Sequence, residues 1–334
     1  MFGLVTYRID LPFGSAVRLG AISRPGWVTD LRAACQACLA GDGDPQARAI
    51  AAVRIPNTMT GLIEGGPFSL AAVRAAVAFA DRHPPGATVT AGDERLTLSV
   101  AREGVRLLPP LLPGKMVCAG RNYAAHAAQS TMPAVEDYPR GFVKVNSSLI
   151  GAEDDLVYPP ATEQLEFEVE LAAVIGTAGR DIGRERAYEH VFGYTVFNDL
   201  SARDWQFSER TKGNHLLGKN LDALGVLGPA LVPREFVPDP MDLALSLRVN
   251  GRPRQDARTG GMIFDIPAQI AHWSRMTLQP GDLVATGTPE SLGRRDEYLR
   301  PGDVIEAEVE GIGIQRNRVV PPPSGGPPPG PPRI

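Results

Sequence analysis

Cysteine and lysine are the reactive side chains this chain has least of, three and four respectively in 334 residues. So few cysteines fit a reducing compartment. Cys35 and Cys38 have the C-x-x-C spacing, but they lie in an alanine-rich stretch, 31–39, that reads as helix. With Cys118 far away in sequence, a four-thiolate zinc site cannot be assembled, and small core residues are the reading set against a redox or metal role. No stretch approaches the roughly 18 to 20 apolar residues of a membrane span. Met1–Pro12 carries Arg8 and Asp10 and lacks an apolar run of signal-peptide length, so a cytoplasmic protein is expected. A net charge of -4, a pI near 5.8 and the absence of any basic block exclude nucleic acid as the main partner. Arginine outnumbers lysine 30 to 4, which makes Lys115, Lys144, Lys212 and Lys219 worth inspecting, because an ammonium and a guanidinium are not interchangeable in a site.

What is present is ordinary for a soluble enzyme, with 43% hydrophobic and 22% charged residues. The length suits one large domain or two unequal ones. Residues 1–108 open with strand-like pieces, followed by helices around 30–40 and 69–81, and form an N-terminal accessory domain. Residues 109–114 are proline-rich and read as a linker. Residues 115–320 hold many short β-like runs, with Pro-Gly-Asp turns at 280–282 and 301–303 and an Asn250-Gly251 hairpin signal. Helical stretches are expected only around 184–190, 201–206 and 266–274. The predicted fold class is α+β, predominantly β, with mixed-sheet or barrel-like closure. Residues 321–334 are a Pro/Gly-rich tail, expected to be disordered or polyproline-like.

Carboxylates concentrate in one apolar context. Leu165–Gly176 alternates and then turns continuously apolar, as a strand entering a core does. Side chains two apart on a strand share a face, so Glu166, Glu168 and Glu170 are expected to project together. Asp199 lies 29 residues beyond Glu170. Carboxylates crowded on a half-buried face repel one another unless a cation sits among them. Oxygen ligands of this kind suit Mg2+, Mn2+ or Ca2+ rather than zinc. A solvated acidic face on an edge strand is the other reading of the same residues.

Cys118–His126 (CAGRNYAAH), Leu165–Gly176, Gly193–Gln206 (GYTVFNDLSARDWQ), Leu217–Asp222 with Leu227-Gly228-Pro229, and 255–293 with Thr259, Met262-Ile263-Phe264 and Ala285-Thr286-Gly287-Thr288-Pro289, in that order, resemble the fumarylacetoacetate hydrolase family. The likeness spans about 115–312, and the N-terminal unit is similar, less specifically, to the accessory domain of longer members. It implies a mixed β-roll with a divalent metal at its centre, usually in a homodimer. It assigns Glu168, Glu170 and Asp199 as ligands of Mg2+ (or Mn2+/Ca2+), with Glu166 as an acidic neighbour. Family substrates are small β-diketo or 2-oxo acids, whose 1-carboxylate and 2-oxygen chelate the ion. The resemblance gives Lys219 the developing oxyanion. Arg203 and Gln206 receive the anionic and carbonyl ends, Thr288 the carboxylate, Tyr123 a substrate contact and His126 the activation of water.

One departure bears on the reaction. Many members read N-Y-x-D-H-x-x-E, the Glu forming a dyad with the His, whereas this chain has Ala125 and Gln129 at the two acidic positions. A glutamine can orient an imidazole but neither supplies charge nor takes up a proton. Glu136 or Asp137 on the following loop are candidates to compensate. Lys219-Asn220-Leu221 also replaces a common Lys-Ser-Phe. The leading expectation is metal-dependent hydrolysis of a C–C bond in an acylpyruvate- or fumarylacetoacetate-type acid, with His126, Lys219 and Gln129 as catalytic residues. Decarboxylation or tautomerisation of a 2-oxo acid on the same platform is the alternative that Gln129 favours. A non-catalytic binding module is the third.

Overall fold

The computed structural model describes residues 1–128, 137–207, 214–293 and 297–322; Gln129, Glu136, Lys212 and nearly all of the Pro/Gly-rich tail lie outside the described residues. The apolar run after Glu168 forms the strand Val169–Ile175, every residue of which is buried. Leu171, Ala173 and Ile175 share a core with Leu245, Leu247, Ile305, Ala307 and Val309. Ala172 and Val174 share another with Leu31, Leu62 and Val73 from the N-terminal unit. A strand covered on both faces reads as continuously apolar instead of alternating.

This strand is central to an eight-stranded mixed sheet. Its order is Leu149–Gly151, Gly225–Leu227, Val191–Asn198, Val169–Ile175, Leu283–Ala285, Met116–Gly120 and Arg140–Lys144, with Val232–Pro233 also on Val191–Asn198. A five-stranded sheet, Leu156–Val157, Gly313–Val320, Val304–Val309, Ala244–Val249 and Arg252–Arg258, packs on one face of it. The predominantly β, mixed-sheet architecture expected from the sequence is the one observed.

Local turn chemistry explains several of the joints. Asn250 and Gly251, with φ of 53° and 77°, connect two antiparallel strands as an Asn-Gly hairpin turn does. Gly281 and Gly302 take φ of 85° and 102° in the two Pro-Gly-Asp turns, which feed Leu283–Ala285 and Val304–Val309. Asp282 and Asp303 lock these turns by accepting from the backbone N–H groups of Gln279 (2.6 Å) and Arg300 (2.7 Å).

The run 165–176 is not one strand, as its pattern suggests. Leu165–Glu166 pairs with Ser201–Ala202, and pairing in the large sheet begins at Val169. At the break, Asn198 Oδ1 accepts from the Glu168 N–H (2.9 Å) and Gln255 Oε1 from the Val169 N–H (2.9 Å). Two side-chain amides thus take the place of ladder partners, and Glu166 leaves the face shared by Glu168 and Glu170. The stretch 201–206 likewise divides into a strand, Ser201–Ala202, and a short helix, Arg203–Gln206.

In the N-terminal unit a second five-stranded sheet carries the helices Leu31–Gly41 and Gly66–Asp81. Asp30 caps the first helix, accepting from Ala33 N–H at 3.0 Å. Leu4 and Leu231 exchange backbone hydrogen bonds, both 2.8 Å, between the N-terminal unit and the residue preceding Val232–Pro233 of the large sheet. In the connecting segment, Leu111 is buried, Pro110 O accepts from Thr6 Oγ1 (2.6 Å) and Pro113 O from Asn146 Nδ2 (2.9 Å). Cys35 and Cys118 are buried and Cys38 partly so, all as free thiols, and burial pushes the Cys35 thiol up to about 11.

Because Leu231 joins a cluster drawn from both units, Leu231→Ala is expected to lower stability by about 2–5 kcal/mol. Urea unfolding followed by circular dichroism and by tryptophan fluorescence should show both signals moving to lower urea together; a shift in only one would mean that the two units unfold separately.

Candidate metal centre and its cavity

Antiparallel pairing brings the acids together. Val169 lies opposite Asn198, so the next residues outward, Glu168 and Asp199, face each other, and the Asp199 N–H donates to Glu168 O (2.8 Å). Glu170, two residues on, projects to the same side. Glu168, Glu170 and Asp199 are all buried, and one carboxylate oxygen from each lies within 4.8 Å of the others. Glu170 Oε2 accepts from the Gly287 N–H (2.9 Å). Gly287 has φ of 96°, and a β-carbon there would lie 2.7 Å from Asn122 Cβ, so the Thr-Gly-Thr-Pro turn can approach Glu170 this closely only with glycine.

Two buried lysines and the partly buried Arg203 face these acids. Lys219 Nζ donates to Glu168 Oε2 and Asp199 Oδ2, both at 2.6 Å. Lys144 Nζ donates to the other Asp199 oxygen (2.6 Å), to Leu200 O (3.3 Å) and to Lys219 O (2.5 Å). Arg203 bridges Glu166 and Glu168 and donates to Gln206 Oε1 at 2.7 Å. Burial opposes charge on Lys219, but Asp199 and Glu168 outweigh it and hold the ammonium above its usual value. Lys144 is lowered instead, because burial prevails over Asp199. Burial likewise works against the Glu168 charge, yet Arg203 and Lys219 pull this carboxyl well below the usual range. Glu170 is the group left over: burial, then Asp199 and Glu168, push it well above the carboxylate range. An all-oxygen triad with one member short of positive charge fits a hard divalent cation, and Glu168, Glu170 and Asp199 would hold it.

A cavity of about 270 Å³ opens onto this cluster. Of the residues singled out in the sequence, His126, Glu168, Arg203, Gln206, Lys219 and Thr288 line it. Thr288 Oγ1 donates to Val169 O (3.0 Å) and accepts from Gln255 Nε2 (2.8 Å). Tyr123 is not on the cavity wall. It lies in the core, where its buried hydroxyl has no hydrogen-bond partner among the described residues and is raised by burial and by Glu170 and Glu290. Glu166 sits behind Arg203 and accepts from Ser291 Oγ (3.3 Å). Asp137 is exposed.

Sequence reasoning passed over Lys144 as a site residue, although the scarcity of lysine pointed at it. It also missed Gln255 and Asn122, whose roles come from partners far away in the chain. Asn122 Nδ2 donates to Phe264 O (2.9 Å) and Thr286 O (2.8 Å), and its Oδ1 accepts from Phe264 N (2.8 Å). Among the described residues, no helix is long and apolar enough to cross a membrane.

The chain resembles known proteins in both sequence and structure. The sequence model described as Fumarylacetoacetate (FAA) hydrolase C-terminal matches residues 115–320. The human oxaloacetate tautomerase FAHD2A, mitochondrial, is 38% identical over 270 residues, which cover 80% of this chain and 81% of that protein. A 5-carboxymethyl-2-hydroxymuconate delta-isomerase from Mycobacterium smegmatis has a similar structure, with a TM-score of 0.65 and 31% identity over 95% of this chain and 98% of its own. So has a maleylpyruvate hydrolase from Sphingobium sp. SYK-6 in complex with manganese(II) and pyruvate, with a TM-score of 0.65 and 29% identity over 95% and 99% of the respective chains.

Two substitutions separate the forces in this cluster. Lys144→Met strands one side of a buried ion pair and should destabilise the protein in EDTA by about 3–5 kcal/mol. Glu170→Gln removes the carboxyl that is under like-charge pressure, so stability in EDTA should hold or rise while Mn2+ affinity falls by about tenfold or more. Urea titration and calorimetric Mn2+ binding measure the two effects; a Glu170→Gln protein that lost stability but kept Mn2+ would contradict the assignment.

Proposed function

We propose, from the premise that this chain belongs to the fumarylacetoacetate hydrolase family, that it is a divalent-metal-dependent tautomerase or isomerase of a 2-oxo acid. The observation that carries the reading is a buried oxygen-donor triad sharing a cavity with a buried ammonium, Lys219, and an imidazole, His126. Mg2+ or Mn2+ is the preferred ion, with Ca2+ next, and when bound it supplies Lewis-acid polarisation of the 2-oxo group. Lys219 faces the oxygen on which negative charge builds as a proton leaves C3. Arg203, held by Glu166 and Glu168, and Gln206, held by Arg203, orient the carboxylate end. His126 takes the C3 proton and returns one to the product. Keto–enol exchange needs no attacking water, so a neutral Gln129 is compatible with it. The tautomerase and isomerase names of the relatives point the same way.

Hydrolysis is the second reading, favoured by His126 on the cavity wall and by the resemblance to a maleylpyruvate hydrolase. It requires water to be activated, the step for which the dyad glutamate is absent at 129. Cytosolic location, a homodimer and a small oxo acid as sole partner complete the proposal.

The test follows enol absorbance with oxaloacetate, acetylpyruvate and fumarylpyruvate, in Mn2+ and in EDTA, with products identified by NMR. Metal-dependent keto–enol exchange without cleavage is expected, and Lys219→Met should reduce it about 10²- to 10³-fold. Release of pyruvate and a carboxylic acid would replace the tautomerase reading with the hydrolase one.

A further inference from the structure

A second cavity, of about 340 Å³, shares no lining residue with the one at the metal centre. One wall is the strand Val191–Asn198 at Tyr194, five residues and roughly 16 Å of strand before Asp199. The others are Tyr188, from the helical turn Arg184–His190, and the loop that carries Arg234, Pro238 and Pro240. This loop is held from the N-terminal unit. Arg74 donates to both oxygens of Glu235, at 3.0 and 2.5 Å, and Phe236 stands edge-on to Phe2 with ring centres 4.9 Å apart. Glu235 also borders the cavity, but its carboxylate is committed to Arg74.

The polar groups of the wall are short of acceptors. Tyr194 is 0% exposed, and its hydroxyl has no hydrogen-bond partner among the described residues. A buried hydroxyl left without a partner is costly, and such a group in a native fold calls for one. Burial raises this hydroxyl, Tyr188 adds to the rise and Arg234 opposes it, so its polar neighbours are the two that line the cavity with it. Arg234 is exposed, donates to Tyr188 O (2.8 Å) and has no acid partner among the described residues. Asp239, on the same loop, is exposed, does not line the cavity and accepts from the Met241 N–H (2.9 Å). The wall therefore offers phenol and guanidinium donors beside the ring faces of tyrosine and proline.

We infer that this cavity is a binding site for a small aromatic carboxylate, separate from the metal centre. The carboxylate accepts from the Tyr194 hydroxyl and pairs with Arg234, while the ring lies against Tyr188, Pro238 and Pro240. None of these residues takes part in the reaction proposed above, and the site does not depend on which reaction that is.

Benzoate and its neutral isostere benzamide are the probes, titrated by ligand-observed NMR into Mg2+-loaded wild type, Tyr194→Phe and Arg234→Gln. Wild type should bind benzoate more tightly than benzamide, and each substitution should weaken benzoate on the order of tenfold. Tyr194→Phe removes a hydroxyl that has no partner in the free protein, so its urea midpoint should hold or rise. That distinguishes a lost ligand contact from a damaged fold. Benzoate bound equally by wild type and both variants would lie elsewhere, the metal centre included, and would overturn the site. Equal affinity for the two probes, or binding of neither to wild type, would overturn it as well. So would a lower urea midpoint for Tyr194→Phe, which would mean that the hydroxyl already has a partner. Light scattering completes the test: a change of oligomeric state in either variant would assign the cavity to a second copy of the chain instead of a small acid.

Discussion

Burying three carboxylates within 4.8 Å of one another is the constraint from which the rest of this structure follows. At an effective dielectric of about 20, two unit charges at that separation repel by roughly 3 kcal/mol, and three such pairs would compromise a domain of ordinary stability. The chain meets this with oriented groups instead of solvent. Two lysines take the two oxygens of Asp199, an arginine bridges Glu166 and Glu168, and a backbone N–H approaches Glu170 through a position where only glycine fits. The compensation covers every acid but one. Glu170 is left with a single backbone donor and two like-charged neighbours, a deficit of the kind a divalent cation removes.

That compensation is distant in sequence, which decides what could be read beforehand. Hairpin and turn positions were legible because Asn250-Gly251 and the two Pro-Gly-Asp segments carry their conformations in adjacent residues. Glu168 and Glu170 were legible as a pair by strand parity. Glu166 was not, because parity assumes an unbroken strand. This strand is broken by the side-chain amides of Asn198 and Gln255, 30 and 86 residues from the amides they cap. Lys144 contacts Asp199, 55 residues later, and nothing in its local sequence announces that. Only its rarity as a lysine marked it. Tyr123 illustrates the opposite error: its place in a motif suggested a substrate contact, and packing put it into the core beside Glu170.

The N-terminal unit belongs to the same electrostatic account. The face of the central strand that carries Glu168 and Glu170 continues as Ala172 and Val174, and those two side chains join an apolar cluster to which the helices of residues 31–81 also contribute. Without that cluster the inner end of the acid-bearing face would meet water, and the ion pairs around Asp199 would weaken with the rise in local dielectric. The N-terminal unit concentrates no catalytic residue types of its own, yet its helices contribute to the apolar cluster that contains Ala172 and Val174. Two backbone hydrogen bonds between Leu4 and Leu231 tie this unit to the rest of the chain.

What distinguishes the reactions open to such a site is therefore not the platform for an enolate, which serves tautomerisation, decarboxylation and hydrolysis alike. The discriminating element is how a proton, or a water, is handled on the opposite wall. An imidazole backed by a carboxylate gains basicity when water must be activated; an imidazole backed by an amide is oriented without that gain. Exchange of a proton at carbon already acidified by a polarised neighbouring carbonyl makes a smaller demand on the base. With glutamine instead of glutamate at position 129, the tautomerase reading proposed above asks less of this chain's own residues than hydrolysis does.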